Sequence, residues 1–162
     1  MTKKLLLTLS SVIAAVLFWY YFGAISILKD DSSSFSKLQC VSYAPFAKDE
    51  SPFLFDNGLV ISSDRVREDL KLLSKYTDCI RTYSTVGLEM IPAIARENNL
   101  KMLMGAWVSK DKVQTKQELD TLIKLASENQ DIVKAVIVGN EVLLRGDTSD
   151  VQLLEYLKQV KA

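Results

Sequence analysis

The run Val136-Ile137-Val138-Gly139-Asn140-Glu141 ends a β-branched apolar stretch on an amide followed by a carboxylic acid. A buried parallel strand that stops there sets Asn140 and Glu141 at its carboxyl end, where α/β barrels carry their chemistry. A carboxylic acid so placed is the kind of group that protonates a glycosidic oxygen, once partial burial raises its pKa. Other apolar runs stop at Tyr43, at Arg81 with Tyr83, and at Trp107. In a parallel sheet all these ends face one way, so an acid, an amide, an arginine and three aromatics share one mouth. Flat aromatic faces suit sugar rings, while the amide and guanidinium hydrogen-bond hydroxyls or hold a carboxylate. Each residue also has a plainer reading. A strand-end Glu caps a helix or sits in water, Arg81 pairs with a structural carboxylate, and the aromatics pack. Their coincidence on one rim is what points to a sugar site.

The elements that must position these residues alternate along the chain. Leu38–Tyr43, Asp78–Tyr83, Lys101–Trp107 and Ile132–Val138 read as strands. Between them, Ser62-Ser63-Asp64 caps a helix with Val66, Leu70, Leu73 and Leu72 on its apolar side. A second helix runs through Leu88, Ile91, Ile94 and Ala95, with Pro92 in its first turn and Asn98-Asn99 at its end. A third opens on a capping box from Thr115 to Glu118 and turns Leu119, Leu122, Ile123 and Ala126 inward. A fourth begins near Thr148-Ser149-Asp150, with Leu153, Leu154, Leu157 and Val160 apolar. Four βα units in series predict a parallel sheet covered by helices. An open flavodoxin-like sheet is the competing architecture, but Tyr43-Ala44-Pro45-Phe46 offers no phosphate-cradling glycine loop.

Composition removes several function classes. The 162 residues suffice for one modest domain and fall short of the roughly 250 of a closed eight-fold barrel. Twenty basic side chains balance twenty acidic ones, and no basic stripe suggests a nucleic acid partner. With no histidine, Ser-His-Asp and Cys-His catalysis and His-ligated zinc are excluded, and no metal or cofactor is expected. Cys40 and Cys79 are too far apart for a CxxC motif. At similar depths in adjacent strands they form either a disulfide or two buried thiols.

The amino terminus reads separately, as residues 1–29. Lys3 and Lys4 precede an apolar stretch from Leu5 to Leu28 that ends at Lys29-Asp30-Asp31, about the ~20 residues needed to cross a bilayer. Trp19, Tyr20 and Tyr21 suit the far interface, and the positive-inside rule sets the rest of the chain outside the cytoplasm. The expectation is therefore a transmembrane helix tethering the domain on the periplasmic or extracellular side. A cleaved signal peptide and a buried helix are the alternatives. Residues 30–37 read as a polar linker and 38–162 as the α/β domain.

Five segments in order carry a family resemblance. They are Cys40-Val41-Ser42-Tyr43-Ala44-Pro45-Phe46, Ile80-Arg81-Thr82-Tyr83-Ser84, Gly87-Leu88-Glu89-Met90-Ile91-Pro92-Ala93-Ile94-Ala95, Leu103-Met104-Gly105-Ala106-Trp107 and Val138-Gly139-Asn140-Glu141. Together they resemble glycoside hydrolase family 17, whose members are β-1,3-glucanases and related β-glucan enzymes built as (β/α)8 TIM barrels. The variant looks closer to bacterial than to plant members. The resemblance implies that Glu141 is the general acid/base and that Asn140 binds the 2-hydroxyl of the sugar being cleaved. It sets Arg81 and Tyr83 on the rim near the nucleophile. It also implies a retaining mechanism, with a second carboxylate about 5 Å from the acid. In that family the nucleophile comes from strand seven. Four βα units contain no such strand, and Glu89, Asp111 and Asp147 match no nucleophile position. The expectation is the first four βα units of the barrel, lacking the nucleophile and inactive alone. Such a half is expected to bind β-glucan without cutting it, to self-associate, or to pair with a complementing carboxyl-terminal half.

Overall fold

The computed structural model describes residues 3–23 and 36–161. The chain divides into two compact units, Met1–Ser36 and Lys37–Ala162. In the first, α1 spans Lys3–Phe18 and a five-residue π-helical turn follows over Trp19–Gly23. Among the described residues no helix is long and apolar enough to cross a membrane, so the expected span to Leu28 finds no support there. The remainder of the predicted span and residues 30–35 of the predicted linker lie outside the described residues.

The second unit is a four-stranded parallel sheet in the order β1-β2-β3-β4, with β1 at Val41–Ser42, β2 at Cys79–Arg81, β3 at Lys101–Ala106 and β4 at Val133–Val138. Helices α2 (Ser63–Leu73), α3 (Ile91–Glu97), α4 (Lys112–Glu128) and α5 (Asp150–Lys161) follow the strands in turn. The βα alternation read from the sequence is thus present. Period-two alternation sends Ile80, Met102, Met104 and Ala106 to one face, where they are buried in the core with Leu119 and Leu122 of α4. Arg81 and Leu103 take the other face and stay half-buried.

β1 is shorter than its expected six residues. Only Val41 and Ser42 pair with β2, and the ladder continues as an isolated Leu38–Thr77 bridge and a Tyr43 N–H to Arg81 carbonyl bond of 2.8 Å. Cys40 and Cys79, which precede the Val41–Ile80 pair, form a disulfide with Cα atoms 4.3 Å apart. The open alternative of two thiols is thereby resolved.

α2 begins as expected, with Ser62 accepting from the Asp64 N–H and Val66 and Leu70 fully buried. Burial of each such side chain contributes roughly 1.5–3 kcal/mol. Leu72, expected on that face, is exposed, because 66, 70 and 73 share a stripe that 72 leaves. α4 corrects the predicted capping box. It starts at Lys112, and Asp111 is the cap, its carboxylate accepting from the Val113 and Gln114 N–H groups. Thr115 and Glu118 are one and two turns in, both buried. α5 buries no residue fully, and Leu154 and Leu157, expected to pack, are exposed.

Candidate active site

The carboxyl ends of β2, β3 and β4 bring part of the predicted constellation together. Arg81 is the last residue of β2 and Asn140 follows β4 by two residues; the Arg81 guanidinium donates from Nη2 to Asn140 Oδ1 at 2.7 Å. The same group lies 4.4 Å from the centre of the Tyr83 ring and 3.5 Å from its hydroxyl through Nη1. Tyr83 in turn donates to Ser42 Oγ of β1 at 2.9 Å. A polar chain therefore runs across the sheet from β1 to β4 through Ser42, Tyr83, Arg81 and Asn140. Arg81 Nε is buried with no hydrogen-bond partner, leaving one donor of the fork free.

Glu141 is held by its backbone rather than by its side chain. It sits at φ 53°, in the left-handed region that side chains rarely adopt. Its carbonyl accepts from the Arg145 N–H at 2.9 Å. Glu141 is exposed, so the partial burial expected of it is not found in these four units. Arg145, which the sequence reading passed over, shapes this turn. Its guanidinium donates to the Asn140 carbonyl, pairs with Asp147 at 2.7 Å and lies 4.9 Å from the Trp107 ring centre. The only sequence signal for it is an arginine one helical turn beyond Glu141.

Trp107, just past β3, is half-buried and walls an apolar cleft with Tyr83, Phe46, Pro52 and Leu88. Tyr43 also borders that cleft but is itself 7% exposed, and its hydroxyl donates to Asp69 of α2 at 2.9 Å. Burial, then the Asp69 carboxylate, pushes its pKa well above the ordinary tyrosine value. The alternation of β1 turns Tyr43 toward α2 and gives Ser42 to the rim instead. The other carboxylates near the rim are engaged. Glu89 accepts from the Gly87 N–H, Asp111 caps α4, and Asp147 pairs with Arg145.

A buried carboxylate stands behind the rim. Glu118 of α4 is 2% exposed and accepts from both loops that follow β2 and β3. The sequence signal was its spacing: 115, 118, 119, 122 and 125 form one buried stripe, and Glu118 lies in the middle of it.

Comparison with known proteins assigns the chain a family. Residues 40–162 match the BtgE/BtgC glycoside hydrolase domain. A probable beta-glucosidase btgE of Aspergillus flavus is 36% identical over 115 residues, which cover 69% of this chain and 19% of that protein. A glucan 1,3-beta-glucosidase of Schizosaccharomyces pombe is 30% identical over 110 residues, covering 65% of this chain and 34% of that one. These relatives are fungal, in contrast to the bacterial impression. The crystal structure of the glycoside hydrolase family 17 β-1,3-glucanosyltransferase from Rhizomucor miehei superposes with a TM-score of 0.62 at 25% identity, covering 76% of this chain and 44% of that one. An active-site mutant of the same enzyme, in complex with laminaritriose, gives 0.61. The chain thus spans a fifth to a third of the curated relatives' length and under half of the solved enzyme. Its α/β fold is that of a glycoside hydrolase family 17 TIM-barrel enzyme, and it belongs to the BtgE/BtgC glycoside hydrolase domain family.

Proposed function

We propose that this chain supplies the acid/base half of a retaining β-glucan-acting glycosidase or transglycosylase, with β-1,3-glucan as the substrate class. The observation that carries the reading is the Arg81–Asn140 bond beside Glu141, which orients the amide that the resemblance assigns to the sugar 2-hydroxyl. In this reading Glu141 protonates the glycosidic oxygen and then activates the incoming water or sugar hydroxyl. Trp107, Tyr83 and the edge of Tyr43 stack against the sugar rings. No carboxylate among the described residues matches the nucleophile's role, so this reading gives these four units only the acid/base and sugar-binding part of the site.

The exposed Glu141 carboxylate favours a second reading, in which these four units bind glucan without cutting it. We place the domain outside the cytoplasm on the strength of the Cys40–Cys79 disulfide, a bond that persists in oxidising compartments. The apolar segment Leu5–Leu28 is the sequence argument for a membrane tether there.

Calorimetric titration with laminaritriose, alongside a reducing-sugar assay on laminarin, tests the proposal. The chain is expected to bind, Arg81→Ala to weaken binding about tenfold, and Glu141→Gln to leave it unchanged. With a complementing carboxyl-terminal half added, Glu141→Gln lowers sugar release about 10²–10⁴-fold. Unchanged release by Glu141→Gln refutes the acid assignment, and no binding at millimolar laminaritriose refutes the glucan reading.

A further inference from the structure

We infer that Glu118 is a positioning residue that presets the aromatic wall of the glucan cleft by locking two rim loops to one helix. The inference rests on the glucan reading only for the identity of the ligand. Glu118 Oε2 accepts from the Thr85 N–H at 2.8 Å, the Thr85 hydroxyl at 2.9 Å and the Trp107 N–H at 3.2 Å. Oε1 accepts from the Ser84 hydroxyl at 2.5 Å and the Val86 N–H at 3.3 Å. The Thr85 hydroxyl also lies 3.2 Å from the Glu118 carbonyl. Both oxygens are acceptors, and all five donors come from the loops after β2 and β3.

Those loops carry Tyr83 and Trp107. The Thr85, Val86 and Trp107 N–H groups lie past the last residues of β2 and β3, and one carboxylate accepts from all three. Buried N–H groups left without an acceptor are costly, and a charged acceptor holds them more firmly than a neutral one. Glu118 does not itself line the cleft walled by Trp107 and Tyr83, but it bonds two residues that do, Ser84 and Trp107. Its effect is therefore indirect: it sets where Trp107 stands relative to Tyr83 before ligand arrives, so little ordering remains for binding to impose.

The test compares Glu118→Ala and Glu118→Gln in a Trp19→Phe background, which leaves Trp107 as the sole indole. Three readouts are taken: Trp107 emission with acrylamide quenching, amide exchange at Thr85, Val86 and Trp107, and laminaritriose affinity. Gln keeps one carbonyl oxygen for the three donors at Oε2 and offers its amide to Ser84, whose hydroxyl can accept, while the Val86 N–H loses its acceptor. Expected for Ala are faster exchange at all three amides, quenching raised about twofold or more, and Kd weakened about tenfold; Gln recovers most of each except the exchange at Val86. Should Glu118→Ala fail to fold, Thr85→Val takes its place and is expected to speed exchange at Trp107 through the shared oxygen. Unchanged Trp107 emission and exchange in a folded Glu118→Ala, or in Thr85→Val, overturns the inference while leaving glucan binding intact. Variants that show the Trp107 effects, beside a wild-type protein that binds no laminaritriose, refute the glucan reading and leave the clamp standing.

Discussion

Two neighbouring residues concentrate the backbone strain at the rim. Gly139 has φ 73°, and a Cβ there would stand 2.6 Å from Val142 Cγ1 and 3.3 Å from Val108 Cβ. Gly139→Ala combines a left-handed alanine with a steric overlap, and is expected to destabilise by about 2–3 kcal/mol, read as a lowered urea midpoint at unchanged slope. Glu141 occupies the left-handed region too, at φ 53°, but with a full side chain. Its conformation costs about 1–2 kcal/mol relative to an unstrained residue. Glu141→Gly relieves that strain, offset by about 0.5–1 kcal/mol of extra chain entropy in the unfolded state. The expected outcome is a domain at least as stable as the original, in thermal melts, with its acid gone. A clear loss of stability in Glu141→Gly means instead that the carboxylate makes a stabilising contact. Strain kept at the proposed acid itself fits a site selected for chemistry rather than stability.

At the scale of elements, β2, β3, β4 and the apolar stripes of α2 and α4 were legible because local pattern and tertiary burial agree there. β1 was not: an edge strand with one neighbour keeps only the pairs that neighbour supports, so two residues pair where the apolar run suggested six. Tyr43 was assigned to the rim from its place at a strand end, but alternation decides the face, and that turned it to Asp69. Glu118 was misread for a different reason. A glutamate three residues after a threonine looks like a capping box, whereas its partners lie 11 to 34 residues away and appear only once the loops are in place. The disulfide compensates for the short β1. It joins the edge strand to β2 and closes a loop with a sequence separation of 39. By loop entropy alone its removal costs about 3–4 kcal/mol. The double variant Cys40→Ser, Cys79→Ser is expected to melt about 10 °C lower, with amide protection lost first at Ser42 and Tyr43. Equal protection of β1 in both proteins means that the ladder, not the disulfide, holds the edge.

Among the described residues, protonation of paired carboxylates makes acid the direction nearer neutrality in which charge destabilises this fold. There is no histidine, so no imidazole titrates between pH 5 and 8. Two carboxylates have pKa values well below the ordinary range. Arg65, hydrogen-bonded to Glu50 with help from the Ala47 N–H, lowers Glu50 from 4.5 to about 2. Arg96 bonds Asp131 at 2.7 and 2.8 Å and lowers it from 3.8 to about 2. A depressed folded-state pKa contributes stability that is present above the unfolded value and lost as pH falls through the folded one. The window therefore opens near pH 4.5 and closes near 2. The two pairs are not equal. Asp131 is 57% exposed and screened by water and salt, whereas Glu50 is 21% exposed and ties the loop after β1 to α2, where Arg65 also bonds the Pro45 carbonyl. The urea midpoint is accordingly expected to stay level from pH 8 to 5 and to fall below 4.5. Glu50→Gln lowers the neutral plateau and flattens the fall, and Asp131→Asn does so more weakly and only at low salt. A midpoint that declines between pH 6 and 7, or a Glu50→Gln profile parallel to wild type down to pH 2, assigns the acid sensitivity to other groups and removes Arg65–Glu50 as the tie between the β1 loop and its helix.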